Sequence, residues 1–148
     1  MFKKLFPLIK EIKSKTGEIH FRRWRIFETP WLRLYVHQIL KADEDMFEHT
    51  HPWNLATLIL RGSYVEFSQG AITLRRPGHF AYRKHDVPHK IGAVNQPTWT
   101  LALAIGSRKK WGYKMSEGVI IDNESYRLFK TKQIKIIDAQ NSINCLKK

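Results

Sequence analysis

Four of the seven histidines fall in two short segments, His49-Thr-His51-Pro-Trp53 and His85-Asp-Val-Pro-His89. In an extended chain residues i and i+2 project to the same side, so His49 and His51 can present two imidazoles to one point. Neutral imidazole is a ligand for iron, zinc, nickel or copper, and three histidines on one face of an ion leave positions open for water or substrate. A third ligand must then come from another strand. An H-x-H pair by itself is common and usually inert, so its surroundings decide the matter.

Several other residues are placed to take part. Trp53 follows the pair directly and either walls a substrate pocket or anchors the core. Tyr64 and Glu66 share one face of a strand; turned inward, Glu66 is a carboxylate near the ion and a general base with a pKa raised by burial, and turned outward it is one more surface charge. Tyr82 and Arg83 occupy opposite faces of the strand before the second histidine segment, and Arg76 or Arg83 could grip an anion bidentately. Tyr82 and Arg76 join Trp53 and Tyr64 as the expected pocket residues. His85 is expected at the rim and His79 in a solvent-facing turn. The cluster Arg108-Lys109-Lys110-Trp111-Gly-Tyr113 mixes cations with aromatics, as single-stranded nucleic-acid surfaces do, although a solvated loop with a packed tryptophan gives the same pattern. No phosphate loop, dinucleotide fingerprint, serine elbow or zinc finger is present, which removes most common enzyme classes.

The elements that must position these groups are strands. Trp31 to Leu40 alternates Leu32, Leu34, Val36 and Leu40 against Trp31, Arg33, Tyr35 and His37, the period of two that a half-buried strand requires. His20 to Phe27 is a weaker strand of the same kind. Leu55 to Leu60, Tyr64 to Phe67 and Ala71 to Arg75 follow, separated by turns at Arg61-Gly62-Ser63, Ser68-Gln69-Gly70 and Pro77-Gly78. In Thr98 to Ile105 a bulky face of Trp99, Leu101, Leu103 and Ile105 opposes a small face of Thr98, Thr100, Ala102 and Ala104, which either leaves room for a pocket or packs against a bulky neighbour. Gly118 to Ile121 and Gln133 to Ile137 are candidate late strands. Short strands with frequent turns predict an all-β barrel or sandwich. Before them, residues 1–17 read as a short amphipathic helix ended by Lys13 to Gly17, and residues 138–148 as a loose polar tail.

Over Asp43 to Ile105 the chain resembles the cupin superfamily, whose fold is a double-stranded β-helix, a jelly-roll-like small barrel of two packed antiparallel sheets. The first cupin motif carries H-x-H, then a glutamate four residues on and a glycine seven beyond it; His49, His51 and Gly62 fall in register. The second runs from Pro-Gly through a few strand residues to a proline-histidine pair, which Pro77-Gly78 through Pro88-His89 matches in length and at both ends. The resemblance implies that His89 is the third ligand and that residues 18–137 form the barrel. Two positions depart from it: Leu55 stands where the glutamate belongs, and His79 where an aspartate follows Pro-Gly. Either the site is a three-histidine one, as in some cupin dioxygenases, or it has decayed and only the barrel survives. The stretch from His51 to Glu66, with Arg76 to Arg83 and Thr98 to Leu101, also resembles a group of small bacterial and phage cupins with an H-P-W segment. The resemblance implies a fold and leaves the reaction, and catalysis itself, open.

The whole-chain numbers fit one domain. The 148 residues, 43% hydrophobic and 12% aromatic, suffice for a single core, and no apolar run approaches a membrane span. The basic start lacks the uninterrupted apolar stretch of a secretory signal, and the lone Cys145 allows no internal disulfide, so cytoplasmic residence is expected. Twenty-six Lys and Arg against thirteen Asp and Glu give a net charge of +13 and point to an anionic partner. Absence of the glutamate ligand leaves an ion uncompensated, which favours an anionic substrate. The expectation is therefore a metal-binding cupin holding iron(II), zinc, nickel or manganese through His49, His51 and His89, with Glu66 as its catalytic base, acting in a dioxygenase-like way on a small anionic molecule and pairing as a homodimer. The alternatives are a non-catalytic cupin module for an anionic sugar or nucleotide, and nucleic-acid binding through the basic surface.

Overall fold

A computed structural model describes residues 6–14, 16–115 and 119–133. Among the described residues there are nine strands: β1 (Leu8–Lys13), β2 (Ile19–Glu28), β3 (Leu32–Ile39), β4 (Asn54–Ser68), β5 (Ala71–Arg75), β6 (Phe80–Arg83), β7 (Lys90–Ile105), β8 (Gly112–Lys114) and β9 (Ile120–Asp122). One helix, α1, occupies 123–133. The first seven strands form one antiparallel sheet in the order β1-β2-β3-β7-β4-β5, with β6 pairing the first part of β4 on the edge that β5 also uses, and β8 pairs with β9. The long strands β4 and β7 pair throughout with several register shifts, and these bulges bend the sheet into a barrel.

The all-β class is as expected, with three differences in its elements. Residues 8–13 are strand rather than helix. Pro7 lacks an N–H and would break the ladder of a helix spanning 1–17, whereas β2 offers a free edge that Leu8 to Lys13 pairs with; residues 1–5 lie outside the described residues. The turn expected at Arg61-Gly62-Ser63 is instead a kink within the continuous strand β4. Gly62 sits at φ 78°, and a Cβ there would lie 2.6 Å from the Pro97 carbonyl oxygen, so the position needs glycine both for its conformation and for the close approach of β7. Of the late strands, Ile120–Asp122 is present as β9, while Gln133 ends the described part of α1; residues 134–137 and the 138–148 tail lie outside the described residues. The hairpin turn at Gln69-Gly70 is found, both residues having positive φ.

The faces of β3 are assigned by what β7 offers them. Arg33, Tyr35, His37 and Ile39 point into the barrel and are buried, while the apolar face of Leu32, Leu34 and Val36 lies outside and is half-buried. Inside, Arg33 is paired with Ala104, Tyr35 with Ala102, His37 with Thr100 and Ile39 with Thr98, so each large residue meets a small one. Outside, Leu34 pairs with Leu103 and Val36 with Leu101, and Trp24 stacks on Trp99 at 5.4 Å. Beside this packing lies an interior hollow of about 400 Å³, to which β7 contributes Thr100. Charged and polar side chains line much of it, among them Lys10, Arg23, His37, Thr57, Arg83 and Thr100.

Candidate metal centre

The first histidine segment enters the barrel as an extended chain. Thr50 fixes it from one side, its N–H and hydroxyl donating to the Gly112 carbonyl oxygen while the Gly112 N–H donates to the same hydroxyl at 2.9 Å. On the other side His49 and His89 exchange both backbone hydrogen bonds, His49 N–H to His89 O at 2.7 Å and His89 N–H to His49 O at 2.9 Å. Residues paired in this way carry their side chains on one face, and His51 lies two positions along from His49 on that same face. Local geometry alone therefore brings three imidazoles together.

The result is a cluster whose donor nitrogens all lie within 4.8 Å of one another. Ring centroids are 4.9 Å apart for His49–His89 and His51–His89 and 5.1 Å for His49–His51. The Nε2 atoms of His51 and His89 are 2.7 Å apart, a hydrogen-bond contact aimed at one point. Two imidazoles on one ion at about 2.1 Å each have nitrogens about 3.0–3.4 Å apart, so a small rotation of either ring accommodates an ion. Burial holds His51 neutral and well below its usual pKa, and burial with the neighbouring His89 takes His49 down to about 3, so both keep lone pairs for a metal at neutral pH. The residues fit a divalent ion.

Behind the ligands stands Glu66, 1% exposed. One of its oxygens takes a 2.7 Å hydrogen bond from His89 Nδ1 and an ion pair from Arg83, and the other is bonded by Arg75 at 2.7 and 2.8 Å. With Nδ1–H committed to the carboxylate, the Nε2 lone pair of His89 faces the ligand point. The expected raised pKa is reversed here: burial pushes the carboxyl up, but His89, Arg83 and Arg75 together outweigh it and bring it down to about 2. Glu66 does not line the cavity, and its two oxygens are turned to His89, Arg83 and Arg75. Asp43 backs His49 more loosely, 3.8 Å from its Nδ1, with its own Oδ2 taking the Ile91 N–H at 2.8 Å.

The expected pocket residues divide. Trp53 and Tyr64 line the cavity, Trp53 half-buried beneath the Arg33 guanidinium at 4.9 Å and Tyr64 buried, its phenol pushed up to about 12 by burial and then by Glu66. Tyr82 and Arg76 do not line it: Tyr82 points outward from β6, and Arg76 is exposed beyond the end of β5. Strand alternation gives the inward place on β6 to Arg83. Leu55, where a fourth ligand was sought, is buried and apolar beside Tyr35, Ala102 and Ala104. His85 stays at the rim, within 3.1 Å of Lys109 Nζ, and His79 is exposed. Trp111 and Tyr113 face the cavity, and Tyr113 stacks on Tyr126 at 3.9 Å, so the rings that base stacking would use pack inward. Arg23 and His37, missed in the sequence, also line the hollow. The signal for His37 was present in the polar face of β3, and Arg23 stands on β2 as its cross-strand partner.

Neither a family model nor a curated protein matches the sequence. Solved structures do. A cupin-2 domain protein from Rhodospirillum rubrum is 14% identical, with a TM-score of 0.61 over 76% of this chain and 78% of that one. A cupin 2 conserved barrel domain protein from Rhodopseudomonas palustris is 13% identical, with a TM-score of 0.60 over 76% and 80%. An iron(II) form of HppE is 17% identical, with a TM-score of 0.58 over 69% of this chain, which spans 57% of HppE. Likeness at these identities is likeness of fold.

Proposed function

The chain is a cupin by fold, and on that premise we propose that it holds one divalent metal ion through His49, His51 and His89 and acts on a small anionic molecule seated in the adjoining cavity. The observation that carries this reading is the convergence of three imidazole nitrogens on one point, with Glu66 bonded to the Nδ1 of one of them. An all-imidazole set suits iron, zinc or nickel better than manganese, which prefers oxygen donors. Bound there, iron(II) would supply dioxygen chemistry, and zinc or nickel would supply Lewis-acid polarisation or an activated water. The chain's own residues bind and orient: Tyr64, protonated at neutral pH, offers a hydroxyl to the substrate, and Trp53 closes the wall.

Metal analysis of tag-free protein tests the proposal. About one equivalent of metal per chain is expected in the wild type, lost in a His49→Ala/His51→Ala double variant. No metal in either protein after reconstitution with iron(II), zinc or nickel would overturn it. The non-catalytic cupin module would then be favoured, a reading that Leu55 in the usual carboxylate position supports.

Pairing of two copies belongs to the same proposal. Phe80 and Tyr82, 63% and 54% exposed, stand opposite Leu58 and Ala56 on the outer face of the sheet, an apolar patch that a second copy would cover. Sedimentation velocity is expected to give a dimer for the wild type and a monomer for Phe80→Glu/Tyr82→Glu. A monomeric wild type would remove the pairing.

A further inference from the structure

One row of side chains crosses the inner face of the sheet at a single level. Lys10 on β1 is the cross-strand partner of Arg23 on β2, Arg23 of His37 on β3, and His37 of Thr100 on β7. All four line the cavity that the three histidines open onto. Like charges directly opposite each other across a ladder repel, and an acid beside them is the usual remedy. Neither Lys10 nor Arg23 forms a salt bridge to an acid among the described residues.

Arg23 is held in place without being neutralised. Its Nε–H donates to His37 Nε2 at 2.9 Å, and its guanidinium lies 4.8 Å from the Tyr35 ring centroid and 5.4 Å from that of Phe21. These contacts fix the plane of the guanidinium and leave its two terminal nitrogens with no hydrogen-bond partner among the described residues. Burial, with Arg23 and Lys10 beside it, keeps His37 well below its usual pKa. The neutral ring accepts from Arg23 through Nε2, so its proton sits on Nδ1. Next in the row, Thr100 is 1% exposed, and its hydroxyl is a buried polar atom with no partner among the described residues. An oriented guanidinium fork, a second cation and an unmatched hydroxyl, all turned into one hollow, are the donor set of an oxyanion site.

We infer that Arg23, Lys10 and Thr100 form a binding subsite for an oxyanion group, carboxylate or phosphoryl, carried by the molecule whose other end meets the three-histidine centre. This rests on the proposed metal reading for its second end only. His37 is a positioning residue in it, since it touches Arg23 and orients the fork. The substrate class that follows is a short molecule with two functional ends, small enough for a hollow of about 400 Å³. It also accounts for an interior richer in cations than in acids: the compensating charge arrives with the ligand.

The test uses inorganic phosphate and the full chain stripped of metal by chelator, with binding followed by isothermal titration calorimetry. Wild type is expected to bind phosphate, with Arg23→Gln weakening it at least tenfold, Arg23→Lys less, and Lys10→Met severalfold. Arg25→Gln, a surface control paired with Glu28, is expected to leave the affinity unchanged. Metal content measured on the same variants after reconstitution should match the wild type. Should Arg23→Gln fail to fold, Arg23→Lys and Lys10→Met still decide the matter. No phosphate binding by the wild type, or equal binding by these variants, would overturn the subsite. Phosphate binding that depends on Arg23 in a wild type that takes up no metal on reconstitution would sustain the subsite and overturn the metal reading instead, so the two failures are distinguishable.

Discussion

His89→Ala is expected to lower metal affinity by more than about a hundredfold while leaving a folded barrel. Loss of a partner behind a ligand already costs about 10–100-fold, and loss of the ligand itself costs more. His89 also contributes to the fold, because its Nδ1–H is one of three donors to the buried Glu66 carboxylate. Removing it leaves Arg83 and Arg75 in place, so the penalty is that of one missing hydrogen bond at a buried charged acceptor, about 1–3 kcal/mol. Metal titration and denaturant unfolding of the metal-free protein separate the two effects. Stoichiometric metal at unchanged affinity in the variant would refute the three-histidine assignment.

A larger stability change is expected at Glu66. The carboxylate is 1% exposed and compensates Arg83, itself buried, along with the half-buried Arg75. Glu66→Ala leaves the Arg83 cation without an acid in the interior and opens a void, for which about 3–5 kcal/mol is the usual cost. Glu66→Gln keeps the shape and an acceptor oxygen but not the charge. It should unfold at lower denaturant than the wild type and bind metal about 10–100-fold more weakly, because His89 loses the partner that fixes its tautomer. Combining Glu66→Leu with Arg83→Met should recover part of the stability and none of the metal affinity, since it removes the orphaned charge without restoring the support. A midpoint for Glu66→Ala indistinguishable from the wild type would show that the carboxylate is not the centre of the buried network.

Residues that act through local geometry were legible in the sequence. His49 and His51 are two positions apart on an extended chain, so type and spacing paired them, and the resemblance to the cupins, through Pro77-Gly78 and Pro88-His89, supplied the third histidine of the cluster. Both readings of the small face of Thr98 to Ala104 apply in part: Thr100 lines the hollow, while Ala102 and Ala104 pack against Tyr35 and Leu55. What could not be read was anything decided by the other side of the sheet. The interior face of β3 follows from its pairing with β7, and the choice of Arg83 over Arg76 depends on which β6 position faces in. The direction of the Glu66 shift depends on two arginines from β5 and β6 that lie nine and seventeen residues away in sequence. At the N-terminus the apolar spacing suited a helix as well as a strand, and a vacant edge on β2 decided between them.

The placement of polar groups inside and apolar groups outside separates cohesion from recognition. Leu34, Val36, Leu101, Leu103, Trp24 and Trp99 hold neighbouring strands together on the convex side, where no ligand comes. Thr57, Thr100 and His37 line the hollow and supply little of that cohesion. Exchanging one small side chain for another there can reshape what the cavity admits at little cost to the scaffold, provided the Glu66 network is spared. A barrel arranged in this way is permissive to divergence: the same outer shell can carry a succession of interiors and so a succession of specificities.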